Sequence, residues 1–149
     1  MSARAALTGT ALGRAALLLV AADVAHALDH TRQGRTLASE VYAAGIAGWI
    51  ALTVLLVLVA RGHRLAAPYA IAVGLAVASG FVAVHVLPRW SAFSDPYPAF
   101  EADELSWALV VVPVVAALNL AAQAARARSR TRRSPPGRGR AAPASSARA

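Results

Sequence analysis

Three long apolar segments constrain what this 149-residue chain can fold into. They cover residues 41–60, 66–87 and 105–125, and they contain no Asp, Glu, Lys or Arg. A helix that crosses a bilayer needs about 20 predominantly apolar residues. Each segment is therefore predicted to form a transmembrane helix, and the three are numbered spans 2, 3 and 4.

A weaker span 1 is predicted over residues 11–30, which include Asp23 and two histidines. A carboxylate inside a membrane costs about 2.5–3.5 kcal/mol on insertion scales, and the apolar run 17–20 can offset one such cost. The alternative is a signal peptide cleaved near residues 25–27, although the polar residues before that point argue against it. The predicted fold is all-α: an integral membrane bundle of four transmembrane helices.

The composition excludes several classes of protein. Apolar residues make up 58% of the chain, charged residues 15%, and cysteine is absent, which rules out disulfides, thiolate metal sites and cysteine nucleophiles. Residues 126–149 carry eight arginines and no acid, and they are predicted to form a disordered cytoplasmic tail. The domain prediction is therefore a transmembrane domain over residues 1–125 and a tail over 126–149.

The charge distribution predicts the topology. With four spans, Arg4, Arg14, Arg61, Arg64 and the tail fall on one side, which receives 12 arginines and no acid. The other side receives three arginines and all seven acids. Because short cytoplasmic loops are enriched in positive residues, both termini are predicted to be cytoplasmic, in a cell membrane.

A group of ionisable side chains shares one depth in the predicted bundle. Asp23, His26 and His30 lie on one stripe of span 1, and His85 lies near the same end of span 3. Imidazole and carboxylate groups bind zinc, copper or iron, so these four residues are the candidate metal ligands. His26 and His85 could also hold a haem iron, with Asp23 orienting one of them. The alternatives are a proton-titrating or substrate-binding site, and structural hydrogen bonds to the connection at residues 88–104, named loop 3.

Other features bear on packing. Small residues recur at a spacing of four in the pairs Ala44/Gly48, Ala70/Gly74 and Ala76/Gly80, which lets helices approach closely. Pro113 lies inside span 4 and frees one backbone carbonyl. In loop 3, Trp90 and Tyr97 are interpreted with Trp107 as an interfacial aromatic belt, and the acids 101, 103 and 104 are expected to cap span 4.

Two stretches carry a resemblance. Residues 26–35 (HALDHTRQGR) and 85–90 (HVLPRW), followed by Ser-Asp-Pro at 94–96, resemble small multi-pass integral membrane proteins of actinobacteria. The resemblance covers spans 1 to 3 and loop 3. It implies a multi-pass cell-membrane protein, and it carries no assigned activity or active residues.

Three function classes remain open. No catalytic motif of a serine hydrolase, P-loop protein or zinc protease occurs, so an enzyme is not favoured. The residues favour a non-catalytic structural or accessory membrane component. A metal- or haem-binding redox protein and a small oligomeric transporter component are the alternatives. The expected partners are the lipid bilayer, anionic headgroups at the basic tail, and a second copy or a membrane protein, rather than nucleic acid.

Overall fold

The computed structural model describes residues 2–133, with side chains to residue 130, and every element in this range is helical. A short helix α1 (Ala3–Gly9) precedes four long ones: α2 (Ala11–Gln33), α3 (Ser39–Ala60), α4 (Ala66–Phe81) and α5 (Glu104–Arg133). A π-helical turn (Val82–Val86) extends α4, and a 3-10 turn (Tyr97–Ala99) lies in loop 3. The four long helices are long and apolar enough to cross a membrane, which confirms the predicted fold class.

The bundle is organised around α5. This helix packs extensively against α4 and α2, whereas α3 packs less closely, against α4 and α2. Buried α5 residues recur at helical spacing, for example Val110, Pro113, Ala117, Leu120 and Ala124. Large apolar side chains on other faces stay exposed, as expected for a surface in contact with lipid.

One of the three small-residue pairs produces a close helix contact. A Cβ atom added at Gly74 would lie 2.5 Å from the carbonyl oxygen of Ala117, so α4 and α5 approach each other closely at this point. A Cβ atom at Gly48 or Gly80 would meet nothing within 4 Å. The Ala70/Gly74 pair therefore faces the α4–α5 interface, whereas Gly48 and Gly80 face open space.

The last helix is longer than the sequence indicates. It continues to Arg133, so residues 126–133 are helical where the beginning of a disordered tail was predicted. The run of Ala and Arg in 124–133 has high helix propensity and contains no Gly or Pro, which explains the extension. Residues 134–149, where the rest of the predicted tail falls, lie outside the described residues.

Loop 3 folds back onto the ends of the helices. Ser94, Asp95 and Tyr97 are buried, and Tyr97 is completely inaccessible. Its placement in an interfacial aromatic belt was wrong, because the protein encloses its side chain completely, between the rings of Phe100 and Trp107. The predicted capping by acids is confirmed at Asp103, whose Oδ1 accepts a hydrogen bond from the backbone N–H of Ser106 at 2.8 Å.

Candidate metal centre

A proline fixes the orientation of His26. In an α-helix the N–H of residue 113 would donate to the carbonyl oxygen of Leu109, but Pro113 has no N–H. His26 on α2 lies opposite this gap, with Nδ1 at 3.1 Å from the Leu109 oxygen. A carbonyl oxygen only accepts, so Nδ1 carries the proton and, in the neutral ring, Nε2 carries the lone pair.

A second proline acts in the same way near His85. Pro88 cannot donate to the carbonyl oxygen of Val84, and the backbone N–H of Asp95 donates to it instead, at 2.9 Å. The carbonyl oxygen of the same Asp95 lies 3.2 Å from His85 Nδ1. His85 therefore also carries its proton on Nδ1 and has its Nε2 lone pair free.

The local backbone also places His85. It lies in the π-helical turn, where Leu87 N–H donates to the Val82 oxygen five residues earlier. Such turns are frequent at functional sites because the extra residue re-aims the side chains around it. The helix ends here because a residue that precedes a proline disfavours helical geometry, and Leu87 is extended, with ψ of 152°.

His30 completes the group. Its Nε2 lies 3.0 Å from His26 Nε2. Because His26 carries its proton on Nδ1, His30 must donate here, which leaves His30 Nδ1 as a lone pair. This buried Nδ1 has no hydrogen-bond partner in the described part of the chain. Buried polar atoms are seldom left without a partner, so this orphaned nitrogen is a reason to look for a ligand.

The three imidazoles converge. One ring nitrogen of each of His26, His30 and His85 lies within 4.8 Å of the others. Zinc binds imidazole nitrogen at about 2.0–2.1 Å, so tetrahedral ligands lie about 3.3 Å apart. The three nitrogens lie up to 4.8 Å apart, so the rings must move closer together to hold one ion. The 3.0 Å contact between His26 and His30 is a hydrogen bond, so His30 must also turn its ring or shift its proton to bind that ion. The expectation that span 1 and span 3 bring His26 against His85 is met, with ring centroids 4.8 Å apart.

The distance of 4.8 Å between the rings of His26 and His85 argues against the haem hypothesis. Two axial histidines must lie on opposite faces of a porphyrin, with the macrocycle between the rings. The rings of His26 and His85 are in contact, and His30 packs on His26 at 4.6 Å. No gap for a flat macrocycle exists between them, so the arrangement fits a small ion better than a haem.

Asp23 stands apart from the three histidines. It is not a member of the converging group and has no hydrogen-bond or ion-pair partner among residues 2–130, so the expected pairing with His26 or His85 was wrong. The missing pair with His26, one turn along α2, is explained by the other contacts of that ring: its Nδ1 lies against the Leu109 oxygen and its Nε2 against His30. His30 is farther away, because seven residues at 1.5 Å each place it about 10 Å from Asp23 along α2.

Aromatic rings enclose the histidines on the loop side. His85 packs on Tyr97 at 4.8 Å and His26 on Phe81 at 4.7 Å. Burial raises the pKa of Tyr97 to about 12, so its hydroxyl stays protonated at neutral pH. Tyr97 of loop 3 and Phe81 of α4 therefore contact the histidines with uncharged rings.

A charged network lies beside the site, and the sequence did not predict it. Buried Asp29 accepts hydrogen bonds from Arg32 Nε and Gln33 Nε2, both at 2.6 Å. Arg32 also binds both carboxylate oxygens of Asp103, at 2.8 and 2.9 Å, and donates to Ser106 Oγ at 2.9 Å. This network ties the end of α2 to the beginning of α5, and it holds the Asp103 pKa well below its usual range, chiefly through the bonds from Arg32.

A second ion pair holds the loop segment that orients His85. Arg35 Nη2 lies 2.9 Å from Asp95 Oδ1, and its guanidinium stacks on the Phe100 ring at 3.2 Å. The backbone of Asp95 thus binds His85 while its side chain binds Arg35. A signal for these pairs is present in the sequence, since three arginines are placed on the side with all seven acids, but their individual partners depend on the tertiary fold.

A cavity of about 1020 Å³ opens next to the histidines, between α2, α3 and α4. His26, His30 and His85 form part of its wall, and Asp23 lines it as well. Most other lining side chains are apolar.

Comparisons with protein-family models, with curated proteins and with solved structures give no match for this chain. The arguments for function therefore rest on the geometry.

Proposed function

We propose that this membrane protein binds one divalent transition-metal ion through His26, His30 and His85. The observation that carries the proposal is the convergence of three imidazole nitrogens within 4.8 Å of one another, inside a bundle of apolar helices. Ionisable residues at membrane depth are uncommon and usually functional.

The surroundings of the histidines support this proposal. A histidine that binds metal almost always donates its other ring N–H to a carboxylate or a backbone carbonyl. His26 and His85 both do so, to Leu109 and to Asp95. Neutral imidazoles suit zinc, copper, iron and nickel, whereas calcium and magnesium require oxygen ligands. Three protein ligands leave a coordination position for water or a substrate.

The test is elemental analysis with an absorption spectrum on the full chain purified in detergent. We expect about one transition-metal ion per chain in the wild type and its loss in the double variant His26→Ala/His85→Ala. The matched control is His63→Ala, because His63 lies in the turn between α3 and α4, where it accepts a hydrogen bond from Leu65 N–H at 3.2 Å. A Soret band that vanishes in the double variant would show that the histidines bind haem rather than a single metal ion.

A structural or accessory component without a metal is the second candidate. The bonds from His26 to α5 and from His85 to loop 3 favour it, because each links two separate elements. It predicts a colourless protein free of metal whose His26→Ala variant loses stability, because the substitution removes the bond between α2 and α5. Those results would overturn the metal proposal.

We also propose the location and the orientation. The chain lies in a cell membrane, as its resemblance to actinobacterial multi-pass membrane proteins implies, and both termini are cytoplasmic. The support is the arginine excess on one side of the bundle. Arg126 and Arg128 are exposed at the end of α5, where anionic headgroups of the cytoplasmic leaflet would attract them.

A further inference from the structure

The cavity beside the histidines has the size and lining of a site for an organic molecule. Its volume of about 1020 Å³ is at the upper end of the range for drug-sized ligands, about 300–1000 Å³. Its wall includes the small residues Gly48, Ala76 and Gly80 and the aromatic residues Trp49 and Phe81. Nothing lies within 4 Å of a Cβ atom added at Gly48 or Gly80, so the space continues to the backbone of both helices.

Asp23 gives this apolar space an uncompensated charge. Its side chain lines the cavity, is half-buried, and has no hydrogen-bond or ion-pair partner within residues 2–130. The other formally charged residue of the lining is Arg35, which already binds Asp95 and stacks on Phe100. Arg14 on the same helix bonds instead to the carbonyl oxygen of Thr8. A carboxylate at membrane depth normally pairs with another group, and here no protein group in the described chain takes that role.

We infer that the cavity binds a monovalent organic cation with apolar or aromatic substituents, whose charge is neutralised by Asp23. A small inorganic cation is a poor occupant, because one carboxylate replaces little of its hydration shell and the cavity wall is apolar. A delocalised or alkylated cation is weakly hydrated, and its substituents fill the space between α3 and α4. Aromatic rings such as Trp49 also attract cations through their faces. The inference does not depend on a metal ion at the histidines.

The test is equilibrium binding of radiolabelled tetraphenylphosphonium to the full chain in detergent. We expect saturable binding of about one cation per chain in the wild type. Tetraphenylborate, an anion of nearly the same size and shape, should bind at least about tenfold more weakly, because it meets the Asp23 charge with the wrong sign. This comparison uses the unaltered protein, so it does not depend on the folding of a variant.

Variants then locate the site. Asp23→Asn should weaken cation binding about tenfold or more, and Asp23→Glu should keep it within a few-fold. Gly48→Leu fills the cavity without touching the charge and should also abolish binding. Glu40→Gln is the matched control, because Glu40 is an exposed acid at the start of α3 outside the cavity lining, and this variant should bind like the wild type.

Three results would overturn the inference: no saturable binding to the wild type, equal affinity for the anion and the cation, or wild-type affinity in Asp23→Asn. Equal affinity for both ions would indicate an apolar pocket of the kind that holds a lipid chain. The failure of the metal proposal is a separate result, because it would appear as the absence of metal with cation binding intact.

Discussion

At the scale of single residues, two prolines orient the histidines. Pro113 leaves the Leu109 carbonyl free for His26, and Pro88 leaves the Val84 carbonyl free for Asp95, which in turn binds His85. In both cases a missing backbone donor is replaced by a group from another part of the chain. A carbonyl of α5 and a carbonyl of loop 3 thus accept from the two imidazoles at Nδ1, which leaves the lone pair of each neutral ring on Nε2.

The first prediction concerns Pro113→Ala. Restoring the N–H gives the Leu109 carbonyl a donor within the helix, which competes with His26 Nδ1. We expect metal affinity to fall about 10- to 100-fold, the usual effect of losing the partner of a metal-binding histidine, while the melting temperature does not fall. Competition with a chelator of known affinity measures the change. Pro68→Ala is the control, because Pro68 lies in the first turn of α4, where no helical bond is missing. Equal affinities in both variants would contradict the role of Pro113.

A second prediction concerns pH and Asp103. Its pKa is lowered in the folded protein by Arg32, so the contact stabilises the fold fully above about pH 4, the ordinary pKa, and the stabilisation is lost as the pH falls further. Asp103→Asn removes this dependence. The melting temperature of the wild type should therefore fall more steeply below pH 4 than that of the variant. Thermal unfolding measured from pH 7 to pH 3 gives both curves. If the melting temperatures of the two proteins fall in parallel with pH, the Arg32–Asp103 ion pair contributes nothing to the stability of the fold.

The residues of the site could be predicted from the sequence only in part. The common depth of His26 and His85 followed from span lengths, and the carbonyl freed by Pro113 followed from the sequence alone. The partner of that carbonyl did not, because the rotation of α2 against α5 depends on packing. Asp23 lies outside the group of converging histidines, because a stripe on a helix does not determine which partners its side chains meet on other helices. The π-turn carries no sequence signature.

At the scale of elements, α4 and α5 make the most extensive contact in the bundle. Gly74 lies under the Ala117 backbone, so this interface depends on the absence of a side chain. The length of the apolar segments predicted the four spans. Three pairs of small residues have the same spacing of four, however, and the sequence does not distinguish between them. Which pair faces a neighbouring helix depends on how each helix is rotated about its axis. A helix that is apolar on every face carries no sequence signal for that rotation.

The third prediction tests this interface. Gly74→Ala places a methyl group 2.5 Å from a carbonyl oxygen, so we expect a loss of about 1–3 kcal/mol in the free energy of unfolding. Gly80→Ala on the same helix meets open space and should leave stability unchanged or slightly higher. Both variants are compared by thermal unfolding in one detergent. Equal melting temperatures would mean that the helices separate at this position at no cost.

At the scale of the whole molecule, the two ends of the helix bundle differ in charge. The acids Asp29, Asp95 and Asp103 meet Arg32 and Arg35 at the end that carries the histidines. The arginines of the turn between α3 and α4 and of the last helix belong to the opposite end. The site is therefore predicted to lie toward the external face, beneath loop 3.

The fourth prediction is the orientation itself. A reporter fused after Ala149 should be active in the cytoplasm, and one inserted near Ser94 should be active outside, because the arginine-rich end stays on the cytoplasmic side. An external C-terminus would mean that the number of spans is odd or that the bundle is inverted, and the site would then face the cytoplasm.

The most direct test of the metal centre is X-ray absorption at the metal edge of the purified, zinc-loaded full chain. We expect three imidazole ligands per zinc, with nitrogen at about 2.0–2.1 Å, and loss of this signal in His26→Ala/His85→Ala but not in His63→Ala. A chain that retains no zinc, or a spectrum with fewer than three imidazoles that is identical in the double variant, would contradict the proposed metal centre.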